Sequence, residues 1–299
     1  MNETVPAKIK MLNIEIDNIS SLELLQNIRT GGILFTPNVD HLMKLQKDAD
    51  FYHTYQQADY LVCDSKIIYW ASIFLGNKII EKISGSDFFP KFYQYYKDDE
   101  HIKIFLLGGI DKSAEQAKQN INDKTGRPIV VGAYSPSMGF EKNELECQKI
   151  VDLINNSGAT VLAIGVGAPK QEKWIVRYKK LLPKIKIFLA IGATIDFEAE
   201  ISQRSPQWMS QVGLEWLFRL VSEPKRLWKR YLVESPPFFW LILKQKIQQM
   251  YFHPYENSSD RLDNQEKSTK NNSNDKLTSL SSTSSSKANH STSTSVINR

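Results

Sequence analysis

The amino-acid sequence predicts an α/β protein with a mostly parallel β-sheet that helices cover. Two observations predict this fold class: six short apolar segments each end at a turn-forming or polar residue, and segments with helical spacing lie between them. In sheets of this kind, ligands bind beyond the carboxyl ends of the strands. The residues that directly follow each apolar segment therefore carry most of the information about function.

The predicted elements follow one another along the first part of the chain. Apolar and polar residues largely alternate over residues 10–16, which is typical of a strand or hairpin, and Ser20 and Glu23 then have the capping-box spacing that starts a helix. Helical spacing predicts further helices, for example over residues 67–75 and, without a break, over residues 39–55. The six apolar segments predicted as strands are Ile33–Phe35, Tyr60–Cys63, Ile102–Leu107, Ile129–Val131, Val161–Ile164 and Ile185–Ile191.

Composition narrows the class of protein. Of the 299 residues, 41% are hydrophobic and 24% are charged, an ordinary balance for a globular protein, and a net charge of +5 does not by itself imply a nucleic-acid partner. The two cysteines, Cys63 and Cys147, suggest no disulfide framework and fit a reducing cytosol. We expect neither a signal peptide nor a transmembrane helix, because the longest apolar run, Phe238–Leu243, is far shorter than the roughly 20 residues that span a bilayer.

The chain divides into three predicted parts. An α/β core occupies residues 1–195, a basic, aromatic and helical segment occupies residues 196–250, and a low-complexity tail occupies residues 256–299. The tail consists mainly of Ser, Thr, Asn and Lys. We expect it to be disordered, because it cannot bury enough apolar surface to offset the entropy lost on ordering.

The basic segment allows three interpretations. Between Arg204 and Lys246 there are eight Lys or Arg residues and three Glu, a net charge of +5, and apolar residues are interleaved with the cations at helical spacing. This pattern is typical of an interfacial membrane element whose arginines face a diphosphate. It also fits a docking helix with a solvated basic face and, less well, a nucleic-acid-binding helix.

Polar residues follow the first two predicted strands. Asn38, in the segment Thr36-Pro37-Asn38, is either a helix N-cap or an amide presented to a ligand, and both roles are compatible because a helix N-terminus favours anions. Asp64 is likewise either an N-cap or a general base that accepts a proton from an attacking hydroxyl, a role worth about 10²–10⁴ in rate. Cys63 points to the opposite side of its strand and is expected in the core.

Glycine-rich segments follow two later strands. The run from Gly165 through Gly167 to Glu172 allows close backbone approach, and Lys170 and Gln171 within it supply donors for a phosphate or a nucleobase edge. Gly108 opens a turn like that of a dinucleotide-binding fold, but the third glycine of that fingerprint is missing. These segments favour a nucleotide ligand without identifying it.

No metal site is predicted. Asp48-Ala49-Asp50 has the D-x-D pattern that many glycosyltransferases use for a metal, but it falls inside the helix predicted over residues 39–55. Side chains at positions i and i+2 of a helix diverge, so we interpret these carboxylates as a solvated helix face. The five histidines show no paired spacing typical of zinc ligands.

Several of these segments together resemble the TagA/WecG/CpsF family of glycosyltransferases, also called family 26. The resemblance covers roughly residues 10–245. It implies a Rossmann-like core with a C-terminal appendage that associates with the membrane, and inverting sugar transfer without a metal or other cofactor. The segments that carry it are Thr36–Asn38, Gly85–Asp87, Gly165–Glu172, Ile191–Ala199 and Arg204–Tyr231.

The resemblance also implies the substrates and the location. The donor would be a UDP-sugar carrying N-acetylmannosamine or a related hexose or uronate. The acceptor would be a sugar on polyprenyl diphosphate, and the product would enter teichoic acid or another cell-surface polysaccharide. We therefore expect a cytoplasmic protein associated peripherally with the inner face of the cell membrane, possibly as a homo-oligomer, with no nucleic-acid partner.

Carried over by position, the resemblance assigns roles to individual residues. Asp64 would be the base. Thr36, which is grouped with it as catalytic, would bind the substrate sugar or its phosphate together with Asn38, and Gln171 would lie by the nucleotide. Arg219, Arg226 and Arg230 would contact the lipid diphosphate. The full predicted substrate-binding set is Asn38, Lys82, Gly108, Gly165, Gly167, Lys170, Gln171, Arg219, Arg226 and Arg230.

The chain departs from the family pattern at three positions. Ser65 and Glu200 stand where the family usually has glycine, and Lys82 stands where it often has arginine. A lysine cannot bind a phosphate through two parallel hydrogen bonds as an arginine can. These departures concern the identity of the donor more than the reaction class. The alternatives to be tested are a nicotinamide-dependent oxidoreductase and a non-catalytic protein that binds membrane surfaces.

Overall fold

A six-stranded sheet in which all neighbouring strands are parallel forms the centre of the protein, with the order β4-β3-β8-β7-β5-β6. The computed structural model describes residues 7–252, so the tail predicted over residues 256–299 lies outside the described residues. The strands are β1 (Lys8–Met11), β2 (Ile14–Asp17), β3 (Gly32–Phe35), β4 (Tyr60–Leu61), β5 (Ile104–Gly108), β6 (Val130–Tyr134), β7 (Val161–Gly165) and β8 (Ile187–Ala190).

Helices cover both faces of this sheet. They are α1 (Ser21–Ile28), α2 (Val39–Leu45), α3 (Ala49–Tyr55), α4 (Lys66–Leu75), α5 (Gly85–Tyr95), α6 (Ser113–Thr125), α7 (Glu144–Ser157), α8 (Lys170–Tyr178), α9 (Thr194–Glu198), α10 (Gln207–Gln211), α11 (Glu215–Ser222), α12 (Pro224–Lys229) and α13 (Pro237–Phe252). Short 3₁₀ turns occupy Phe140–Lys142 and Lys179–Leu181, and a π-helical turn occupies Arg230–Glu234.

The central strands are apolar because both of their faces are buried. Every residue of β5, β7 and β8 is buried. Along β7, Leu162 and Ile164 pack into one hydrophobic cluster, whereas Val161 and Ala163 pack into a second cluster on the other face. This alternation is expected of a parallel sheet covered on both sides, and it confirms the predicted fold class.

Two local predictions at the start of the chain are confirmed. Strands β1 and β2 pair as an antiparallel hairpin. The Ser20 side chain accepts a hydrogen bond from the backbone N–H of Glu23, and the Glu23 carboxylate accepts one from the backbone N–H of Ser20 at 2.8 Å. The capping box therefore fixes the start of α1.

The prediction of one helix over residues 39–55 is wrong. The chain forms α2 and α3 with a break between them, and Asp48 caps α3 by accepting a hydrogen bond from Phe51 N–H at 2.9 Å. Because Asp48 has an extended backbone, its carboxylate does not diverge from that of Asp50: both bind Lys173, at 2.9 and 2.7 Å. The two carboxylates pair with Lys173, and the Asp50 side chain, 78% exposed, is solvated as predicted.

The predicted basic segment is helical, as expected, and packs on the core. Up to Lys246 the chain forms one compact unit. The turn before α11 lies against α4, since a Cβ on Gly213 would come within 2.8 Å of the Trp70 ring, and Phe238 and Ile242 of α13 are buried in the main hydrophobic cluster. Within residues 7–252, no helix has the length and apolar character needed to cross a bilayer.

Candidate active site

The loops that follow β3 and β4 meet at the carboxyl edge of the sheet. These strands are parallel neighbours, so their ends lie side by side, and the backbone N–H of Asp64 donates to the carbonyl of Pro37 at 3.1 Å. Asn38 caps α2 by accepting a hydrogen bond from His41 N–H at 3.2 Å, and its side-chain amide is close enough to the Asp64 carboxylate to lower the pKa of that group. The predicted role of Asn38 as a helix cap is confirmed, and the presentation of its amide to a ligand stays a prediction.

Asp64 does not cap the helix that it precedes. Ser65 is the N-cap of α4, with its hydroxyl accepting from Ile67 N–H at 3.2 Å, which leaves the half-buried Asp64 carboxylate to the site. Burial, followed by the charge of Glu215, raises the pKa of Asp64 to about 7 against the opposing effects of Lys82, Arg219 and Asn38. A carboxylate that titrates near neutral pH suits a general base.

Lys82 is held at the site by Asp87. The Lys82 ammonium lies 3.0 Å from the Asp87 carboxylate, which also accepts from the Ser84 hydroxyl at 2.6 Å and pairs with Arg204. Burial by itself would raise the pKa of Asp87, but Lys82, Ser84 and Arg204 outweigh it and lower the pKa to about 2. Asp87 thus keeps its charge and fixes two cations. This role was not predicted from the sequence, although the Gly85–Asp87 segment carries part of the family resemblance.

Two of the three predicted arginines reach this site. Arg219 pairs with Glu215 at 2.8 Å, and the charges of both residues act on Asp64. Arg230 lies 3.2 Å from the buried carboxylate of Asp40, and its guanidinium reaches the side-chain oxygen of Asn38 at 3.4 Å. Arg226 is placed differently: its side chain is 66% exposed and pairs with Glu223 one helical turn away.

A buried polar network lies beneath the Asn38 loop. Asp40 binds Lys44 at 2.6 Å, and the ring nitrogen Nδ1 of His41 lies 2.6 Å from the Tyr55 hydroxyl. Burial, and then the charge of Arg230, lowers the pKa of His41 to about 3, so this imidazole is neutral. Thr36, the other predicted catalytic residue, is buried directly after β3 in the same region.

The glycines predicted to face a nucleotide are needed first for the packing of strand ends. A Cβ on Gly108 would lie 2.3 Å from the carbonyl oxygen of Gly165, and a Cβ on Gly165 would lie 2.3 Å from that of Gly192. Gly167 has open space around it, but its φ of +82° lies in the left-handed region that favours glycine. The ends of β5, β7 and β8 therefore approach one another as closely as their backbones allow.

Lys170 and Gln171 have protein partners at this edge. Lys170 pairs with Glu141 at 3.3 Å. Gln171 is only 4% exposed; its amide donates to Glu172 at 2.8 Å, and its oxygen accepts from Gly192 N–H at 3.2 Å. The side chain of Gln171 thus orients the loop after β8.

A surface depression elsewhere on the protein is lined by Arg29, Tyr95 and Asp99, among others. It contains none of the predicted site residues.

Comparison with known proteins identifies the family of the chain. The model of the glycosyl transferase WecG/TagA/CpsF family matches residues 9–251. An N-acetylglucosaminyldiphosphoundecaprenol N-acetyl-beta-D-mannosaminyltransferase of Staphylococcus aureus (strain MRSA252) is 23% identical, over 80% of this chain and 94% of its own length. A relative with the same name from Bacillus subtilis (strain 168) is 24% identical, over 76% of this chain and 84% of its own length. The chain belongs to the WecG/TagA/CpsF family and is a glycosyltransferase.

Proposed function

We propose that this glycosyltransferase moves N-acetylmannosamine, or a related hexose or uronate, from UDP to a sugar on polyprenyl diphosphate. The single observation that carries the proposal is the Asp64 carboxylate, which titrates near neutral pH among cations from the core and from the C-terminal helices. The printed names of the relatives describe transfer of N-acetylmannosamine to N-acetylglucosaminyldiphosphoundecaprenol. That acceptor is the first candidate for this chain.

The reaction is a single inverting displacement. Asp64 takes the proton from the acceptor hydroxyl, whose oxygen bonds to the anomeric carbon while the bond from that carbon to the UDP oxygen breaks. The bonding electrons leave with UDP, so negative charge develops on the diphosphate. Positioned cations stabilise such charge best where water is excluded, and Lys82, Arg219 and Arg230 supply them here.

The experiment is an assay of the purified chain with a panel of UDP-sugars and N-acetylglucosaminyl-diphosphoprenol in detergent. We expect transfer from UDP-N-acetylmannosamine or one of its close relatives, detected as a heavier glycolipid by mass spectrometry. Failure of every UDP-sugar with this acceptor would contradict the proposed substrates. Transfer from one donor to an acceptor with a different first sugar would correct the acceptor alone.

The C-terminal helices support an association with the inner face of the cell membrane. Phe238 and Ile242 of α13 point into the core, whereas Phe239, Trp240 and Leu243 of the same helix are exposed. Apolar groups on the outer face of a basic helix are typical of elements that lie in a membrane interface. The exposed apolar residues of residues 204–246 are Trp208, Val212, Leu217, Val221, Trp228, Leu232, Val233, Phe239, Trp240 and Leu243.

Trp240→Glu should weaken binding to vesicles that contain phosphatidylglycerol. Trp240 is 65% exposed, and burying a large apolar side chain is worth about 1.5–3 kcal/mol, so we expect at least roughly tenfold weaker binding in a co-sedimentation assay. Leu145→Glu on α7 is the matched control, because Leu145 is 85% exposed and lies outside the C-terminal helices. Equal losses in the two variants would argue against a membrane-binding role for α13.

A further inference from the structure

A buried ion pair joins the C-terminal helices to the first turn of α2. Asp40 is 3% exposed, and its carboxylate lies 2.6 Å from Lys44 Nζ and 3.2 Å from Arg230 Nε. Removing one partner of a buried ion pair leaves an uncompensated charge, which is strongly unfavourable. Asp40 therefore has two cationic partners, and one of them comes from a helical turn 190 residues further along the chain.

The same arginine also links the C-terminal helices to Asn38, in the loop that lies beside the base. From its place beside Asp40, Arg230 reaches the Asn38 oxygen at 3.4 Å, and the loop of Asn38 is joined to Asp64 by the hydrogen bond from Asp64 N–H to the Pro37 carbonyl at 3.1 Å. The guanidinium thus has the Asp40 carboxylate near its Nε and the Asn38 oxygen near one of its terminal nitrogens, and these two contacts fix its position. Its remaining donors suit a diphosphate oxygen, which guanidinium groups bind well.

We propose that Asp40 is a positioning residue for the glycosyl transfer: it holds Arg230 beside Asn38, where the guanidinium meets a substrate diphosphate. This inference rests on the proposed function, because the diphosphate belongs either to UDP or to the lipid acceptor. Asp40 itself touches no substrate. Its carboxylate acts through Arg230. The site is therefore complete only when the Arg230–Glu234 turn is packed against α2.

The kinetic test uses the full chain, the UDP-sugar and the prenyl-diphosphate acceptor. Asp40→Asn should lower kcat/KM about tenfold, the effect of losing one charge-assisted contact, and Asp40→Glu should recover part of that loss. A rise in KM for the acceptor would assign the diphosphate to the lipid, whereas a rise in KM for the donor would assign it to UDP. Either rise supports the proposal, and unchanged kinetics would overturn it.

A double-mutant cycle separates positioning from general damage. If Asp40 acts through Arg230, Asp40→Asn should cost nothing further in an Arg230→Gln background. Lys44→Gln is the matched control, since it removes the other partner of Asp40 without touching Arg230. The proposal would be overturned if the losses in kcat/KM multiply in the double variant, or if Lys44→Gln loses as much as Asp40→Asn. Thermal unfolding checks that each variant is folded.

Hydrogen–deuterium exchange gives a readout that needs no activity. Asp40→Asn should speed exchange of the backbone amides in residues 224–234, and Lys44→Gln should leave them unchanged. If the wild-type chain transfers no sugar, the proposed function fails, but faster exchange in Asp40→Asn still supports the seating of this turn by Asp40. Unchanged exchange in that variant would overturn the positioning role whatever the substrate.

Discussion

Replacing Asp64 with asparagine is expected to lower kcat for sugar transfer by about 10²–10⁴-fold, the usual contribution of a general base. The amide has nearly the same shape as the carboxylate, but it cannot take up the proton of the acceptor hydroxyl. The measurement is steady-state transfer with saturating donor and acceptor. Near-normal kcat in a folded variant would show that Asp64 is not the base.

The same substitution carries its own control for folding. The raised pKa of Asp64 means that the folded protein binds this proton more tightly than the unfolded chain, so its contribution to stability falls as pH rises from about 4 to about 7. Above pH 7 the ionised, half-buried carboxylate is a net cost, and Asp64→Asn removes it. We expect the variant to unfold at an equal or higher temperature at pH 8, with the difference shrinking towards pH 4.

A lower unfolding temperature at pH 8 would contradict this account, because it would mean that the charged Asp64 stabilises the fold. A loss of activity could then reflect damage to the carboxyl edge of the sheet. The opposite result, a more stable but inactive protein, is what a group placed for catalysis at the expense of stability should give.

Local chemistry made much of the fold predictable from the sequence. The strands β5, β7 and β8 are buried on both faces, so they are apolar throughout and easily recognised. The position of Asp64 beside Asn38 followed from the rule that ligands lie at the carboxyl ends of parallel strands. The break at Asp48 was missed because apolar residues continue at helical spacing on both sides of it, which outweighed the capping signal of a single aspartate.

The charge pairs of the site could not be predicted in the same way. Arg204 and Asp87 lie 117 positions apart, and Arg230 and Asn38 lie 192 apart. Such contacts depend on how the C-terminal helices pack on the sheet, and a single sequence does not contain that information. The resemblance to the family supplied the arginines as candidates, but it did not distinguish Arg219 and Arg230, which reach the site, from the exposed Arg226.

Arg219→Gln is the second substitution with a large expected effect. Arg219 places a positive charge near Asp64, and in the proposed reaction a substrate diphosphate would lie close to this charge. Losing one preorganised electrostatic group from an active site typically costs about 10²–10³ in kcat. We expect a loss of that size in the transfer assay, whereas Arg29→Gln, which breaks an ion pair with Asp99 at the opposite edge of the sheet, should leave kcat unchanged.

The pH dependence of transfer provides a test with two opposite signs. Asp64 works as a base only when it is deprotonated, so the wild-type rate should rise with pH through about 7. Arg219 lowers the pKa of Asp64 and Glu215 raises it, so Arg219→Gln should move this rise to higher pH and Glu215→Gln should move it to lower pH. Because the two residues pair with each other at 2.8 Å, a merely structural effect of breaking that pair would shift both profiles in the same direction. If both profiles shift in the same direction, or if neither shifts, the charges of Arg219 and Glu215 do not set the pKa of Asp64.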